Sequence, residues 1–403
     1  MKGTRALNFF HNQASHRYKR NRIKELKNEA GIVCTNEGEI SNSLIDFYQH
    51  LFTSDPPSHM EEVLRAIPTM ITEEQNAMLA MEFAKAEVDE APRQMELLKA
   101  PGPSSLPPLF YQKLWPSIGE DVSSAILSFL NSGSIPPSIN RTFITLIPKV
   151  KSPNVVSDFH PIALCNFIYK LASKVVANRL KKVLPNIISE SQSAFQPNKA
   201  ILDNIMVAFE LLHHMKTQKS KKADFMTLKL DMSKAYDWVE WRFFIGIMKK
   251  KKKGFCDTWL TLIYECISTV SYSILVNGEH KGEISPTRGN RQGDQLSPYL
   301  FLLCLEGLNR MFQQATRDNL IRGFSLCKNG PKITRLFFAY DNLLFCQARM
   351  EDLQAIQHIL SLYEGASEQQ INRGKTTFFF SKAVMEDKKE EILNFLGVPD
   401  DSF

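Results

Sequence analysis

Apolar and polar residues alternate most clearly at positions 226–230, where Met and Leu take turns with Thr and Lys. This period of two predicts a strand that is buried on one face. Asp231 lies where the strand is expected to end, and residues 233–241 are expected to form a turn into a helix. A carboxylate at a strand end is well placed to bind a metal ion, because rigid backbone holds it while the strand end reaches solvent. The alternative is an aspartate that ends the strand and caps the next helix.

Periodicity in the rest of the chain predicts a mixture of strands and helices. Further strands are expected at 142–148, 271–277, 322–326, 333–339 and 342–347. Helices are expected at 40–51, 166–184, 201–216, 240–252, 256–268, 297–316 and 351–367, and a capping pattern at 71–74 opens another. Strands separated by long helices and ending in a hairpin indicate an α+β fold, with a sheet layered on helices.

The amino-acid composition narrows the class of protein only slightly. The 403 residues are 43% hydrophobic and 23% charged, which is usual for globular proteins, and they suffice for two or three packed units. Seven cysteines form no zinc-binding spacing, which favours reduced thiols in an intracellular protein, nuclear or cytoplasmic. No secretory signal opens the sequence, and the longest apolar run, 296–308, is too short to span a bilayer, so no membrane contact is expected.

Positive charge is concentrated near the N-terminus. The net charge is +6, and residues 1–30 hold eight Lys or Arg against two Glu. A basic arm beside a nearly neutral body suits a polyanionic partner, because phosphates bound by Lys and Arg release their counterions. A solvated basic helix explains the same pattern without any partner.

Several motifs occur in order along the chain. They are Leu-Ile-Pro-Lys at 146–149, Asp-Phe-His-Pro-Ile-Ala-Leu-Cys-Asn at 158–166, Gln-Ser-Ala-Phe-Gln-Pro at 192–197, the block at 225–241, Arg-Gly-Asn-Arg-Gln-Gly-Asp at 288–294 and Leu-Phe-Phe-Ala-Tyr-Asp-Asn at 336–342. In this order and at these spacings they resemble the reverse transcriptase of plant LINE-type (non-LTR) retrotransposons, from about Leu7 to about Gly397. The resemblance implies a right-hand polymerase that uses an RNA template, a DNA primer and deoxynucleotides. No protein partner is evident.

The resemblance also divides the chain into regions. Residues 1–90 correspond to a helical, basic linker that follows an endonuclease in the family. Residues 91–225 correspond to the fingers and 226–385 to the palm. Residues 386–403 correspond to the start of a truncated thumb, so little or no thumb is expected.

The expected catalytic centre holds Mg²⁺. Polymerases of this kind clamp two Mg²⁺ ions with carboxylates from separate strands. By the resemblance, Asp231 and Asp341 are the metal ligands here. The family usually has its main metal-bridging aspartate at the position of Tyr340. A phenol bridges two metal ions poorly, so we expect impaired catalysis. An ordinary β-hairpin with an Asp-Asn turn remains the alternative for residues 337–345.

Other site residues follow from the same resemblance. Lys149 and His160 correspond to fingers residues that hold the triphosphate, although the family generally has Arg where this chain has His160. Tyr236 corresponds to the ring beneath the incoming sugar, with a core tyrosine as the alternative. Arg291, Gln292 and Gly293 correspond to a loop near the template and the incoming base. Lys375 corresponds to a lysine that protonates the leaving pyrophosphate.

Two functions therefore remain open. The first is RNA-templated DNA synthesis by two-metal nucleotidyl transfer, impaired in this copy by Tyr340. The second is a catalytically dead retrotransposon remnant that at most binds RNA or DNA. Neither an endonuclease nor an RNase H is supported, because the sequence has no His-Asp hydrolase cluster and no four-carboxylate pattern.

Overall fold

The computed structural model describes residues 15–16, 18–68, 71–217, 224–249, 254–326, 330–339 and 341–397. Its strands are β1 Leu26–Lys27, β2 Val33–Cys34, β3 Arg141–Pro148, β4 Phe159–Cys165, β5 Phe225–Ser233, β6 Ser271–Val276, β7 Glu279–Ile284, β8 Arg335–Phe338, β9 Asp341–Gln347, β10 Gln370–Ile371 and β11 Thr377–Phe380. Short 3₁₀ turns lie at Pro92–Gln94, Val156–Asp158 and Arg373–Lys375.

The helices account for much of the remaining chain. They are α1 Glu37–Leu51, α2 Met60–Ala66, α3 Glu73–Ala80, α4 Lys85–Glu90, α5 Pro108–Ser132, α6 Pro137–Asn140, α7 Phe167–Ile187, α8 Ile201–Thr217, α9 Trp241–Lys249, α10 Asp257–Ser268, α11 Ser297–Arg317, α12 Met350–Ser367 and α13 Glu386–Leu396. The capping pattern at 71–74 is confirmed, because Thr72 and Gln75 form a reciprocal capping box at the start of α3. Among the described residues, no helix has the length and apolarity needed to cross a membrane.

The first sheet has β5 at its centre. Its strand order is β10–β5–β9–β8, and β11 pairs with β5 as well; the four pairings are antiparallel. Met226, Leu228 and Leu230 of β5 are buried in the largest core cluster, together with residues of α7, α11 and α12. The opposite face of β5 carries Lys229 and Asp231, which are more exposed. The alternation at 226–230 therefore forms the predicted strand, although Thr227 on the opposite face is buried as well.

A second sheet has the strand order β4–β3–β6–β7. Residues 271–277 were expected to lie in the same sheet as 226–231, and this expectation is wrong, since β6 pairs in parallel with β3. The physical reason is that β3 and β6 bury their side chains in the same core cluster. Ile144 of β3, Tyr272 of β6 and Tyr48 of α1 join one core cluster, separate from the core beneath β5. A period of two predicts a half-buried strand but does not say which sheet the strand joins.

Three local expectations need correction. Residues 1–90 contain β1 and β2, a small antiparallel pair, in addition to the expected helices. The strand expected at 322–326 is reduced to a single bridge between Phe324 and Ile333. Helix α7, expected to be amphipathic, is buried along most of its length, with Lys170, Lys174 and Arg179 inside.

Arg179 illustrates how charge is buried in α7. Its guanidinium donates two hydrogen bonds to the Glu87 carboxylate, at 2.8 and 2.7 Å, and others to backbone carbonyls at the α3–α4 junction. The same group lies 3.6 Å from the centroid of the Phe83 ring. A buried arginine is tolerated when its donors are satisfied in this way.

Candidate active site

Two carboxylates face each other across the centre of the first sheet. Asp231 on β5 and Asp341 on β9 are direct partners in the antiparallel register, so their side chains share one face. The side chain of Asp231 is 23% exposed and that of Asp341 is 44% exposed. Strand β5 continues to Ser233, and α9 begins only at Trp241. Asp231 therefore does not cap that helix, and the alternative interpretation of this residue is wrong.

Each carboxylate has a lysine beside it. Lys375 Nζ lies 3.9 Å from Asp231 Oδ2, and Lys229 Nζ lies 3.4 Å from Asp341 Oδ1. Lys375 is 73% exposed, so its side chain is free to reorient. The two lysines offset negative charge that a metal ion would otherwise neutralise.

Asp341 lies on a hairpin formed by β8 and β9. Phe338 pairs with Asp341, so Asp341 is the first residue of β9 and not part of an Asp-Asn turn. Ala339 has a φ of +61°, and its N–H donates to Gln192 Oε1 over 3.2 Å. Tyr340 lies outside the described residues. The predicted hairpin of β8 and β9 is confirmed, and its connection precedes Asp341 instead of lying at Asp341-Asn342, where the alternative placed the turn.

The donor set fits Mg²⁺ in part. Mg²⁺ binds one or two carboxylates and completes its shell with water and substrate phosphates. Asp231 and Asp341 meet that requirement for one ion. Within the described part of the chain, no group of three or more His, Cys, Asp or Glu is arranged to hold a metal ion. A site for two ions would need a further carboxylate.

A cleft of about 530 Å³ opens beside Asp231, between the two sheets. It collects all the residues predicted to bind substrate, together with the predicted catalytic lysine: Lys149, His160, Tyr236, Arg291, Gln292, Gly293 and Lys375. Asp341 does not line this cleft. Residues from five separate parts of the sequence thus meet at one place, which is what a substrate site requires.

The side of the cleft formed by β4 and the β3–β4 loop is basic but not strongly so. Lys149 Nζ donates to the Ser157 carbonyl over 2.9 Å, which keeps the ammonium at the mouth of the β3–β4 loop. His160 lies opposite Ile147 in the strand register. Burial, and to a lesser extent the charge of Lys149, lower the pKa of His160. The imidazole is therefore neutral at pH 7 and does not replace the permanent charge of an arginine.

The loop after β7 presents Gly293 to the cleft. Gly293 has a φ of +109°, and a Cβ atom there would lie 3.0 Å from the Ala163 carbonyl oxygen. The Ala163 N–H in turn donates to the Gln292 carbonyl over 2.9 Å. Gly293 therefore packs closely against the backbone of β4, and its contact with template and incoming base stays a prediction.

Arg291 is buried and bonded internally. Its guanidinium donates to Asn140 Oδ1 and, over 2.7 Å, to the Cys266 carbonyl, and it lies 3.4 Å from Asp294 Oδ2. It also stacks 3.8 Å from the centroid of the Tyr169 ring. This geometry favours a role in holding the loop in place over the predicted contact with substrate.

Tyr236 lies on the cleft wall with its ring 5.4 Å from that of Phe301. Its backbone carbonyl accepts a 2.7 Å hydrogen bond from Asn290. The ring is half-buried, with one part packed on α11 and another in the cleft. This position is compatible both with core packing and with the predicted wall beneath a sugar.

Several other residues of the cleft were not singled out as site residues from the sequence. Phe47 and Tyr48 come from α1, while Lys234 and Asp237 come from the turn after β5. Lys234 and Asp237 stand three and six residues after Asp231, inside a motif that was already noted, which is a signal that could have identified them. For α1 the sequence predicts only a buried helix face.

Curated relatives of this chain come from mobile elements. The chain is 26% identical over 411 residues to an uncharacterized 149 kDa protein of transposon TX1 from Xenopus laevis, which covers 98% of this chain and 30% of that protein. It is 26% identical over 321 residues to the Pol polyprotein of the type-2 retrotransposable element R2DM from Drosophila melanogaster, covering 76% and 27%. An uncharacterized mitochondrial protein of Arabidopsis thaliana matches 17% of the chain at 43% identity, over 55% of its own length.

The chain spans less than a third of the TX1 and R2DM proteins. Both are products of non-LTR retrotransposons. The sequence profile of the family described as reverse transcriptase (RNA-dependent DNA polymerase) matches residues 147–400, more than half of the chain. On this match and these relatives, the chain belongs to the reverse transcriptase family, with non-LTR retrotransposon proteins as its relatives.

Proposed function

We propose that this chain is the reverse transcriptase module of a plant LINE-type element, and that its nucleotidyl transfer is impaired at Tyr340. The observation that carries the proposal is the cleft beside Asp231, where residues expected to bind a nucleotide converge from both sheets. Its substrates are an RNA template, a DNA primer and deoxynucleotides. In this proposal residues 91–225 are the fingers and residues 226–385 are the palm.

The residues have distinct roles in this proposal. The primer 3′-oxygen attacks the α-phosphorus of a deoxynucleotide, and pyrophosphate leaves. Asp231 and Asp341 would hold Mg²⁺, which stabilises the developing negative charge when bound. Lys149 attracts the triphosphate, and Tyr236 forms a flat wall that a ribose 2′-hydroxyl would clash with. Lys375, exposed and close to Asp231, donates a proton to the leaving pyrophosphate.

The expected impairment of nucleotidyl transfer follows from the reduced negative charge available to bind Mg²⁺. The carboxylates of Asp231 and Asp341 each have a lysine within 4 Å, which lowers their net attraction for a divalent cation. Tyr340 adds a neutral phenol where the resemblance calls for a third carboxylate. Loss of a single electrostatic contact in an active site costs about 10²–10³ in rate. We expect loss of a metal-bridging carboxylate to cost at least that.

Primer extension tests the proposal. The purified chain and its Tyr340→Asp variant are each given an RNA template, a DNA primer, deoxynucleotides and Mg²⁺. We expect extension by the variant at a rate at least about 100-fold above that of the natural chain. The double variant Tyr340→Asp with Asp231→Asn is the matched control, and it should lose the gain.

Two results would contradict this proposal. Equal extension by the natural chain and Tyr340→Asp would mean that position 340 is not a metal position. A double variant as active as Tyr340→Asp would mean that Asp231 does not serve the reaction. In either case the assignment of the carboxylate pair would be wrong.

The second function, a remnant that only binds nucleic acid, is supported by a cluster of exposed basic residues near the N-terminus. The described members of this cluster are Lys19, Arg20, Arg22 and Lys24. Residues 1–14 and 17 of the basic arm lie outside the described residues. Fluorescence anisotropy with labelled RNA, combined with primer extension, separates the two functions. A remnant that only binds nucleic acid would show salt-sensitive RNA binding, while neither the natural chain nor Tyr340→Asp would extend a primer.

A further inference from the structure

Asp237 is a buried acid that the mechanism above does not use. It lines the cleft although only 6% of the residue is exposed. Among the described residues, its carboxylate accepts no hydrogen bond and has no ion pair within 4 Å. The carboxylate oxygens are not among the fully buried polar atoms that lack a partner, so this otherwise buried side chain meets solvent at the cleft, where a ligand can contact it.

The backbone around Asp237 is fixed. Its N–H donates to the Lys234 carbonyl over 2.9 Å, which closes the turn after β5. The Gly289 N–H donates to the Val239 carbonyl over 2.8 Å, and a Cβ atom on Gly289 would lie 2.7 Å from the Asp237 carbonyl oxygen. Because two loops are packed this closely, the Asp237 side chain cannot leave the cleft wall by a small backbone shift.

Charged and titratable groups approach Asp237 from three packed elements besides its own turn. Lys234 belongs to that turn, Lys149 directly follows β3, Tyr48 comes from α1 and Tyr272 from β6. Burial raises the pKa of both tyrosines, so they remain neutral hydroxyls. The charges that act on Asp237 are therefore the two lysines.

The Lys234 ammonium lies against two aromatic rings and is available to bind an anion. Its ammonium lies 4.7 Å from the centroid of the Phe47 ring and 5.4 Å from that of Trp238. Within the described residues, no carboxylate oxygen lies within 4 Å of it. An ammonium held by aromatic rings, without a carboxylate beside it, is free to bind phosphate oxygens.

Both protonation states of Asp237 are accessible near neutral pH. Burial raises its pKa to about 7, and the charges of Lys234 and Lys149 oppose that shift. An ionised Asp237 repels a polyphosphate, whereas a protonated carboxyl group can donate a hydrogen bond to a phosphate oxygen. His160 also lines the cleft, but its pKa is lowered, so its titration ends at a lower pH than that of Asp237.

We propose that Asp237 is a proton-linked contact for the polyphosphate of a bound nucleotide. The nucleotide binds together with one proton from solvent, which resides on the Asp237 carboxyl group and is shared in a hydrogen bond with a phosphate oxygen. Lys234 and Lys149 hold the remaining charge. This inference rests on the proposed function, because it takes a nucleotide as the ligand of the cleft.

Isothermal titration with dATP tests the inference. The natural chain and its Asp237→Asn variant are titrated at pH 7.0 and pH 8.5, each in two buffers that differ in ionisation enthalpy. Asparagine keeps a hydrogen-bond donor and never ionises. We expect the affinity of the natural chain to fall by about tenfold more than that of Asp237→Asn between the two pH values, because the ionised form binds poorly. We also expect proton uptake at pH 8.5 by the natural chain alone.

The comparison removes two other sources of pH dependence, the titration of dATP and that of His160. The titration of dATP itself contributes equally to both proteins and cancels. A His160→Gln variant should keep the pH dependence of the natural chain, since His160 is already neutral in this range. The buffer comparison on the natural chain needs no substitution, so it holds even if a variant folds poorly.

The outcomes separate the two claims. Equal pH dependence in the natural chain and Asp237→Asn, without proton uptake, would overturn the role of Asp237 and leave the nucleotide cleft intact. Absence of dATP binding at both pH values, in a folded natural chain, would overturn the inference and the proposed nucleotide site together.

Discussion

At the scale of single residues, Asp237 links the stability of the fold to pH. Its ordinary pKa of 3.8 is raised to about 7 by burial. Between those values the folded chain keeps a proton that the unfolded chain has released. The stabilisation is thus fully present below pH 3.8 and is lost as pH rises through 7.

Asp237→Asn should remove this loss. We expect the free energy of unfolding of the natural chain to fall relative to that of Asp237→Asn between pH 4 and pH 8, by no more than about 4 kcal/mol. Urea denaturation at several pH values measures the difference. Asp46 on α1 is exposed, so Asp46→Asn should follow the natural chain. A constant difference between the natural chain and Asp237→Asn would contradict the prediction.

At the scale of elements, α7 is held to the preceding helices by Arg179. All three nitrogens of its guanidinium donate hydrogen bonds, either to Glu87 of α4 or to backbone carbonyls at the α3–α4 junction. Removing the arginine would leave a carboxylate and several carbonyls without their partner. Such losses inside a protein are expensive, in contrast to those at its surface.

Arg179→Met should therefore destabilise the chain by about 3–5 kcal/mol. Chemical denaturation followed by tryptophan fluorescence measures this loss. The matched control is Arg65→Met, because Arg65 and Glu61 form a 3.8 Å pair with side chains 77% and 90% exposed. That change should cost less than about 1 kcal/mol. Similar effects of the two substitutions would show that the buried network contributes little.

At the scale of the whole molecule, the two sheets depend on one another. The chain leaves the first sheet after β5, passes through α9 and α10, and adds β6 and β7 to the second sheet before α11 returns to the first core. The family match at 147–400 begins inside β3, which pairs with both β4 and β6. We therefore expect that the region matching the family is not a complete folding unit by itself.

A chain shortened to residues 147–397 should not fold cooperatively. It lacks most of β3, the central partner in the second sheet, and all of α1, whose residues fill the core beneath that sheet. Thermal melting by circular dichroism checks this expectation. A chain of residues 35–397 is the control, since it keeps α1 and β3 and should still show a single transition. Cooperative melting of the shorter chain would refute the interdependence of the sheets.

The local pattern of the sequence by itself determined most of the long elements. The strand at 226–230 and the helices at 201–216, 256–268, 297–316 and 351–367 are confirmed within a few residues. Periodicity arises from which side of an element meets the core, and that information is carried by neighbours in the chain. Motif order likewise sufficed to assign the family.

Only the tertiary structure decided which elements meet. The pairing of β3 with β6, the burial of Arg179 and Arg291, and the position of Asp237 beneath the cleft depend on residues far away in the sequence. Burial of a charged side chain is set by the sum of its surroundings, which no short stretch of sequence contains. For that reason the motifs alone pointed to Asp231 and Asp341, whereas the burial of Asp237 became apparent only in the folded chain.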